Sequence, residues 1–266
     1  MKDRDLLLYL ALKFEGDWDQ IYATVTQKEL IDEKEAKVYL KKYKGNYITI
    51  LDEDIYPKSL HNFTKPPFVL FYIGDISLIS DSNNKLAVVG SRKFSSYGEK
   101  VTTQFVSRLA RDFVIVSGLA KGIDAIAHQA AIDVGGKTVA VLGNGVDFTY
   151  IKENEELYKE ICKNHLVISE YPPGTPPNQD NFPIRNRIIV ALCETVLVPE
   201  GKMQSGTQIT AGLMACKGGN VCCVPTRIGE NSICNYLIGE GAFLVETPED
   251  VYEAAKVVSK RPVFEN

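Results

Sequence analysis

The sequence predicts an α/β fold, in which a mostly parallel β-sheet carries helices on both faces and is preceded by a small helical N-terminal domain. Three observations support this prediction. From Phe68 onward, short runs rich in β-branched residues alternate with segments of helical period. These runs are apolar throughout, which is typical of strands buried on both faces of a parallel sheet. Before Phe68, the periodicity is helical.

Residues 1–60 predict the small helical domain. Apolar residues between Leu6 and Phe14 recur near a 3.6-residue period, which predicts a first helix. Thr26 is followed three residues later by Glu29, the pattern of a capping box, so a charged helix is expected from there through Tyr43. Prolines between residues 57 and 67 then indicate a linker. The larger domain is expected to span residues 61–266.

Eight apolar runs predict the strands of the larger domain. In chain order they read FVLFYI, LAVVG, FVIVSG, TVAVLG, LVISE, TVLVPE, NVCCVP and FLVE. Helical patterns separate several of them, as in KVTTQFVSRLARD, where Ser96 and Glu99 predict a capping box at the start. Ligands of parallel sheets bind at the carboxyl ends of the strands, so the loops after these runs form the candidate site.

The composition is that of an ordinary globular protein of 266 residues, with 45% hydrophobic and 24% charged residues. A net charge of −4 excludes a uniformly basic surface, although a basic groove can still form locally. The cysteines lack the C-x-x-C spacing of a structural zinc site, so we expect reduced, buried thiols and no metal. No apolar run has the length and flanks of a membrane span or a secretory signal, which predicts a cytoplasmic protein without membrane contact.

Residues 182–210, FPIRNRIIVALCETVLVPEGKMQSGTQIT, carry the clearest functional signal. Arg185 and Arg187 come at the predicted start of a helix, where the helix dipole disfavours arginine unless an anion is near. Phosphate is held well by both guanidinium groups and helix N-termini. The triplet SGT at 205–207 opens another helix and adds further donors. The segment predicts a polyphosphate ligand, with Phe182 as either a core residue or a platform for a base.

Two other loops at strand ends carry a similar signal. The strand LAVVG ends in GSR, residues 90–92, whose hydroxyl and guanidinium groups suit a phosphate. The strand FVIVSG leads into SGLAKGID, where two glycines bracket a loop with Lys121, so amides and a cation can face one anion. Asp124 and His128 follow one helical turn apart, as either a base with its orienting group or an N-terminal acid and a structural histidine. We expect the guanidinium and amide groups of these loops to converge on a single cleft.

Motifs of common nucleotide enzymes are absent from the sequence. It has no P-loop, no H-E-x-x-H and no G-x-S-x-G nucleophile elbow. The turn GNGVDF keeps only two glycines of G-x-G-x-x-G, which makes a NAD-dependent oxidoreductase the least favoured hypothesis. A site rich in anion donors and poor in catalytic groups indicates binding rather than turnover, so we expect neither an enzyme nor a cofactor.

The series GSR, SGLAKGIDAIAH, GNGVD, ISEYPPG, FPIRNRII and SGTQITA, in this order, resembles the DNA processing protein A family, also called DprA or Smf. The resemblance covers roughly residues 55–247 and implies an extended Rossmann-like domain. Residues 1–60 are similar in position to the family's small SAM-like helical domain. Because the chain ends at Asn266, we expect no C-terminal winged helix. The resemblance also implies a homodimer that binds single-stranded DNA, protects incoming DNA and helps load the RecA recombinase during natural transformation.

The positions that match the family's motifs are the ones expected to contact DNA. They are Ser91, Arg92, Ser117, Gly118, Lys121, Gly122, Phe182, Arg185, Asn186, Arg187, Ser205, Gly206 and Thr207. Cations and amides would hold phosphates, and Phe182 would stack on a base. Such binding would be largely independent of sequence and sensitive to salt.

Two alternative functions would use the same pocket. One is that of a phosphoribohydrolase-like enzyme of similar architecture, although the Pro-Gly-Gly-x-Gly-Thr loop of those enzymes is replaced here by SGTQIT. The other is that of a sensor for a small nucleotide signal. Release of free base from nucleoside monophosphates would indicate the first, and calorimetric binding of nucleotides in preference to oligonucleotides would indicate the second.

Overall fold

In a computed structural model, which describes residues 1–149, 151–230 and 232–258, nine strands form one sheet. The strands are β1 (Asn46–Thr49), β2 (Val69–Gly74), β3 (Lys85–Val88), β4 (Val114–Ser117), β5 (Thr138–Leu142), β6 (Leu166–Ser169), β7 (Thr195–Val198), β8 (Asn220–Cys223) and β9 (Phe243–Leu244). The helices are α1 (Asp3–Lys13), α2 (Trp18–Thr26), α3 (Glu33–Lys42), α4 (Lys58–His61), α5 (Ser96–Leu109), α6 (Ile123–Asp133), α7 (Glu155–Asn164), α8 (Asn181–Leu192), α9 (Gly206–Lys217), α10 (Ile233–Gly239) and α11 (Pro248–Val258).

The strand order is β1-β2-β6-β5-β4-β3-β7-β8-β9. From β6 to β9 along this order, neighbouring strands run parallel, whereas β1 and β2 are antiparallel to their neighbours. Each of the eight apolar runs forms a strand, from β2 to β9, so the predicted mostly parallel sheet is confirmed. Among the helices of the described residues, none combines the length and the apolar character that crossing a membrane requires.

Both faces of the sheet are buried under helices. Along β3, Leu86 and Val88 pack in a cluster with residues of α5 and α6, and Ala87 packs on the opposite face in a cluster with residues of α8 and α9. These side chains are fully buried, which explains why the strands show no polar alternation. The arrangement brings the N-terminal ends of α8 and α9 to the carboxyl edge of the sheet.

Two helix starts differ from the prediction. Thr26 ends α2 instead of opening a helix, and its hydroxyl donates back to the carbonyls of Tyr22 (2.7 Å) and Ala23 (3.1 Å) in the preceding turn. The next helix, α3, begins after Asp32, whose carboxylate accepts the amides of Lys34 and Glu35. At α5 the cap is Ser95 instead of Ser96, which shifts the start by one residue. Competing polar residues within a few positions make such starts hard to place from sequence.

Residues 1–60 also contain a strand that was not predicted. β1 has four residues, NYIT, and pairs antiparallel with β2 along its whole length. A run this short carries little periodicity, and its pairing partners lie 20 to 26 residues downstream. The division into domains near residue 60 stays a prediction.

Candidate nucleic-acid interface

A cleft with a volume of about 610 Å³ opens at the carboxyl edge of the sheet. It lies where the strand order reverses between β3 and β7, the position at which open parallel sheets bind ligands. We call it the switch-point cleft. The structure brings eight of the predicted site residues together on its lining: Ser91, Arg92, Phe182, Arg185, Asn186, Ser205, Gly206 and Thr207.

Hydrogen bonds join the loops after β3 and β7 to each other at this cleft. The Ser91 amide donates to the Glu200 carbonyl (2.8 Å), and the Glu200 carboxylate accepts the hydroxyl of Ser95 (2.6 Å). A Cβ on Gly90 would lie 2.6 Å from the Glu200 carbonyl oxygen, so this close approach requires glycine. The backbone of the loop that carries Arg92 is therefore fixed, while the Arg92 side chain is exposed.

Arg92 and Phe182 meet at the wall of the cleft. The Arg92 guanidinium carbon lies 5.5 Å from the centroid of the Phe182 ring, within the range of a cation–π contact. The ring also packs closely on the turn after β5. A Cβ added to Gly143 in that turn would lie only 2.8 Å from the Phe182 ring. Phe182 is half-buried and lines the cleft instead of filling the core. This position suits either stacking on a base or positioning of Arg92.

Arg185 forms the floor of the cleft. Its guanidinium group is buried and donates to the carbonyls of Gly118 (2.8 Å) and Val141. Burial lowers the pKa of Arg185 to about 10; the charge of Asp124 opposes this shift and that of Arg92 adds to it. Its Nε also donates to Asn186 Oδ1 (3.2 Å), so Nε and Nη1 are used within the fold. Its charge still adds to the positive potential of the cleft.

The loop between β4 and α6 has mainly structural roles. The buried Ser117 hydroxyl donates to the Val88 carbonyl (2.6 Å), and so ties β4 to β3. Gly118 lies under the Arg185 guanidinium group, where a Cβ would clash at 2.4 Å. Lys121 is exposed, pairs with Glu153 (3.2 Å) and lies outside the switch-point cleft.

Gly122→Ala is expected to destabilise the fold by about 1–3 kcal/mol. Gly122 has φ of 89° and ψ of −130°, and an added Cβ would lie 2.3 Å from the Ser91 carbonyl oxygen. Thermal unfolding measures the effect. Gly212→Ala is the matched control, because no atom lies within 4 Å of that Cβ in the interior of α9, where alanine favours the helix. Equal melting temperatures for the two variants would contradict the prediction.

Arg187 points into a different cleft from Arg185. On a helix, two residues are separated by about 200°, so the side chains diverge around α8. Arg187 Nη2 pairs with Glu170 Oε1 at 2.5 Å in a cleft of about 730 Å³, which we call the Arg187 cleft. The two clefts share Pro183 and Ile209 on their linings. The expectation that all these groups share a single cleft is therefore wrong for Arg187. It is also wrong for Lys121, which lies outside the switch-point cleft. Contact of either residue with DNA stays a prediction.

Two lysines on the switch-point cleft were missed. Lys93 and Lys202 line it beside Arg92 and Arg185, so four basic side chains face one acid, Asp124. Both lysines are exposed. The signal was available in the sequence, because Lys93 follows the GSR triplet and Lys202 follows the glycine after β7. This excess of positive charge makes the cleft suitable for an anionic ligand.

Asp124 and His128 do not form a catalytic pair. The Asp124 carboxylate accepts the amides of Gly118 (3.2 Å) and Ala120 (3.4 Å) and is buried, which raises its pKa. His128 instead bonds through Nδ1 to Thr138 Oγ1 (2.6 Å) inside the core. Across the described ranges, no group of three His, Cys, Asp or Glu side chains is arranged to hold a metal ion.

Known proteins resemble this chain over most of its length. The family model described as DNA recombination-mediator protein A matches residues 46–256. The chain belongs to this family. DNA processing protein DprA of Streptococcus pneumoniae is 46% identical over 205 residues, which are 76% of this chain and 72% of the relative. DprA of Bacillus subtilis is 39% identical over 201 residues, 74% of this chain and 67% of the relative.

Solved structures of the DNA processing protein A family share the fold. An X-ray structure of the Streptococcus pneumoniae protein has a TM-score of 0.79 and 36% identity, and the match covers 95% of this chain and 98% of that one. A structure from Helicobacter pylori, described for its unique single-stranded DNA binding mode, has a TM-score of 0.71 and 28% identity, covering 82% and 98%. The family and the Rossmann-like fold implied by the sequence motifs are confirmed.

Proposed function

We propose that this recombination mediator binds single-stranded DNA through the switch-point cleft and catalyses no reaction of its own. The observation that carries the proposal is the convergence of four basic side chains from three segments on one cleft. They are Arg92, Lys93, Arg185 and Lys202. Contacts to phosphates do not depend on base sequence, so the cleft suits a strand of any sequence.

Helix α9 adds a second source of anion binding. Its N-cap residue, Ser205, donates its hydroxyl to the Lys202 carbonyl (2.6 Å) and does not cap the helix. The amides of the first turn, at Gly206 and Thr207, are thus left to a ligand, and the helix dipole favours a negative charge there. A Cβ on Gly206 would meet only Asn186 Nδ2, at 3.9 Å, so a phosphate can approach the backbone closely.

The biological role that we propose follows from the family. The Helicobacter pylori relative is described by its single-stranded DNA binding, and the family by recombination mediation. We infer that this protein acts in the cytoplasm as a homodimer, protects incoming single strands and helps to load the RecA recombinase on them during natural transformation. In this proposal the protein positions DNA for the recombinase, which carries out strand exchange.

Arg92→Ala is expected to weaken binding of a single-stranded oligonucleotide by roughly tenfold and to reduce the salt dependence by about one ion. Arg92 is exposed, so its loss removes a phosphate contact without disturbing the core. Fluorescence anisotropy across a salt series measures both quantities.

Arg111→Ala is the matched control for this measurement. Arg111 is also exposed but lies between α5 and β4, at the amino edge of the sheet, away from the cleft. Its removal is expected to leave affinity almost unchanged. If Arg92→Ala and Arg111→Ala bind equally well, the cleft is not the DNA site. Release of free base from nucleoside monophosphates would instead contradict the absence of catalysis.

A further inference from the structure

The Arg187 cleft contains buried donors whose partners are missing within the fold. Arg187 is only 9% exposed, and its Nη2 pairs with Glu170. Its Nε and Nη1 atoms are buried and have no hydrogen-bond partner among the residues that the structure describes. A buried guanidinium donor without an acceptor is unfavourable, so a ligand that draws the Arg187 side chain toward the cleft and supplies acceptor atoms there removes this cost.

The lining of this cleft carries more acidic than basic side chains, which disfavours a phosphate as its ligand. The acids on its lining are Glu15, Asp17, Asp19 and Glu170, and the bases are Lys65 and Arg187. Lys65 is already paired with Asp19 (2.6 Å). An anion would therefore meet an excess of negative charge, the reverse of the switch-point cleft. A neutral group with acceptor oxygens satisfies the Arg187 donors without this repulsion.

The two clefts are neighbours on one surface. Pro183 and Ile209 line both of them, and both side chains are exposed. A strand whose phosphates lie in the basic cleft can therefore turn one base across this apolar ridge into the acidic cleft. The cleft volume of about 730 Å³ leaves room for a base.

We propose that the Arg187 cleft binds one nucleobase of the same single strand, through a ring carbonyl oxygen that accepts hydrogen bonds from Arg187. This inference rests on the proposed function. Thymine, cytosine and guanine carry such an oxygen and adenine does not; arginine is the side chain that most often pairs with guanine in this way. Glu170 pairs with Nη2, and the base carbonyl would accept from Nε or Nη1 after the Arg187 side chain shifts toward the cleft.

Trp18 provides a direct test in the unmodified protein. It lines the Arg187 cleft and is the single tryptophan of the chain. Oligo(dT) is expected to change its fluorescence, whereas an abasic strand of equal length, which keeps the phosphates, is expected to bind without this change. Anisotropy of labelled strands measures binding itself. If both strands bind and the fluorescence responds to both or to neither, the inference is overturned. If neither strand binds, the proposed function fails with it.

Arg187→Lys separates the base contact from the ion pair. A lysine ammonium can still pair with Glu170 but lacks the additional guanidinium donors. The preference for oligo(dT) over the abasic strand is expected to fall by roughly tenfold in this variant, with abasic binding unchanged. The advantage of oligo(dT) over oligo(dA) is expected to shrink as well. Arg92→Ala should instead weaken the binding of oligo(dT), oligo(dA) and the abasic strand by the same factor. An unchanged preference in a folded Arg187→Lys protein would overturn the inference.

Discussion

Glu170→Ala is expected to destabilise the fold by about 3–5 kcal/mol, because it leaves the Arg187 charge buried without its partner. The two residues are 4% and 9% exposed, and their charged atoms lie 2.5 Å apart. Burial raises the pKa of Glu170, while the charge of Arg187 and its hydrogen bond lower it. The carboxylate is thus stabilised mainly by this one arginine. Urea unfolding measures the change in the free energy of unfolding.

An exposed ion pair provides the control for Glu170. Lys37 and Glu33 lie one helical turn apart on α3, at 3.7 Å, with side chains 76% and 63% exposed. Water screens this pair, so Glu33→Ala is expected to cost no more than about 0.5 kcal/mol. Replacement of Glu170 and Arg187 together by methionine is expected to recover much of the stability, since neither charge remains buried. A Glu170→Ala protein as stable as Glu33→Ala would contradict the prediction.

The buried pair also shows where the sequence stops being informative. The motif at 182–187 predicted an anion site at the carboxyl edge of the sheet, where Arg185 lies, but the prediction treated Arg185 and Arg187 as equivalent. Helical geometry places them on opposite sides of α8, which the two-residue spacing already implied. The partner of Arg187 could not be inferred in this way, because Glu170 lies 17 residues away and meets it only after β6 and α8 pack together.

The strands were the most predictable part of the fold. All eight apolar runs became strands because burial on both faces requires apolar residues throughout, and that requirement is visible in one sequence. Short elements were less predictable. β1 has only four residues, and the cap of α5 was displaced to Ser95, because adjacent serines compete for the same amides. The placement of the cleft followed from strand polarity alone.

Acidification from about pH 6.5 to about pH 3 is expected to destabilise the fold through His128, by on the order of 4 kcal/mol in total. Burial lowers the pKa of His128 to about 3, and the charges of His165 and Arg185 act in the same direction. Thr138 Oγ1 donates to the Ile115 carbonyl (2.8 Å), so it accepts the hydrogen of His128 Nδ1. An added proton must then occupy Nε2, which is buried and without a partner in the described part of the chain.

The sign of this effect follows from the two pKa values. The unfolded chain binds the proton below about pH 6.5, whereas the folded chain resists it down to about pH 3, so the stability is complete above pH 6.5 and declines as the pH falls. The slope due to His128 is about 1.4 kcal/mol per pH unit within this window. Urea unfolding at intervals from pH 7 to pH 4 measures it against His128→Leu, in which the other titrating groups are the same. Equal slopes in the two proteins would show that His128 is not the group responsible.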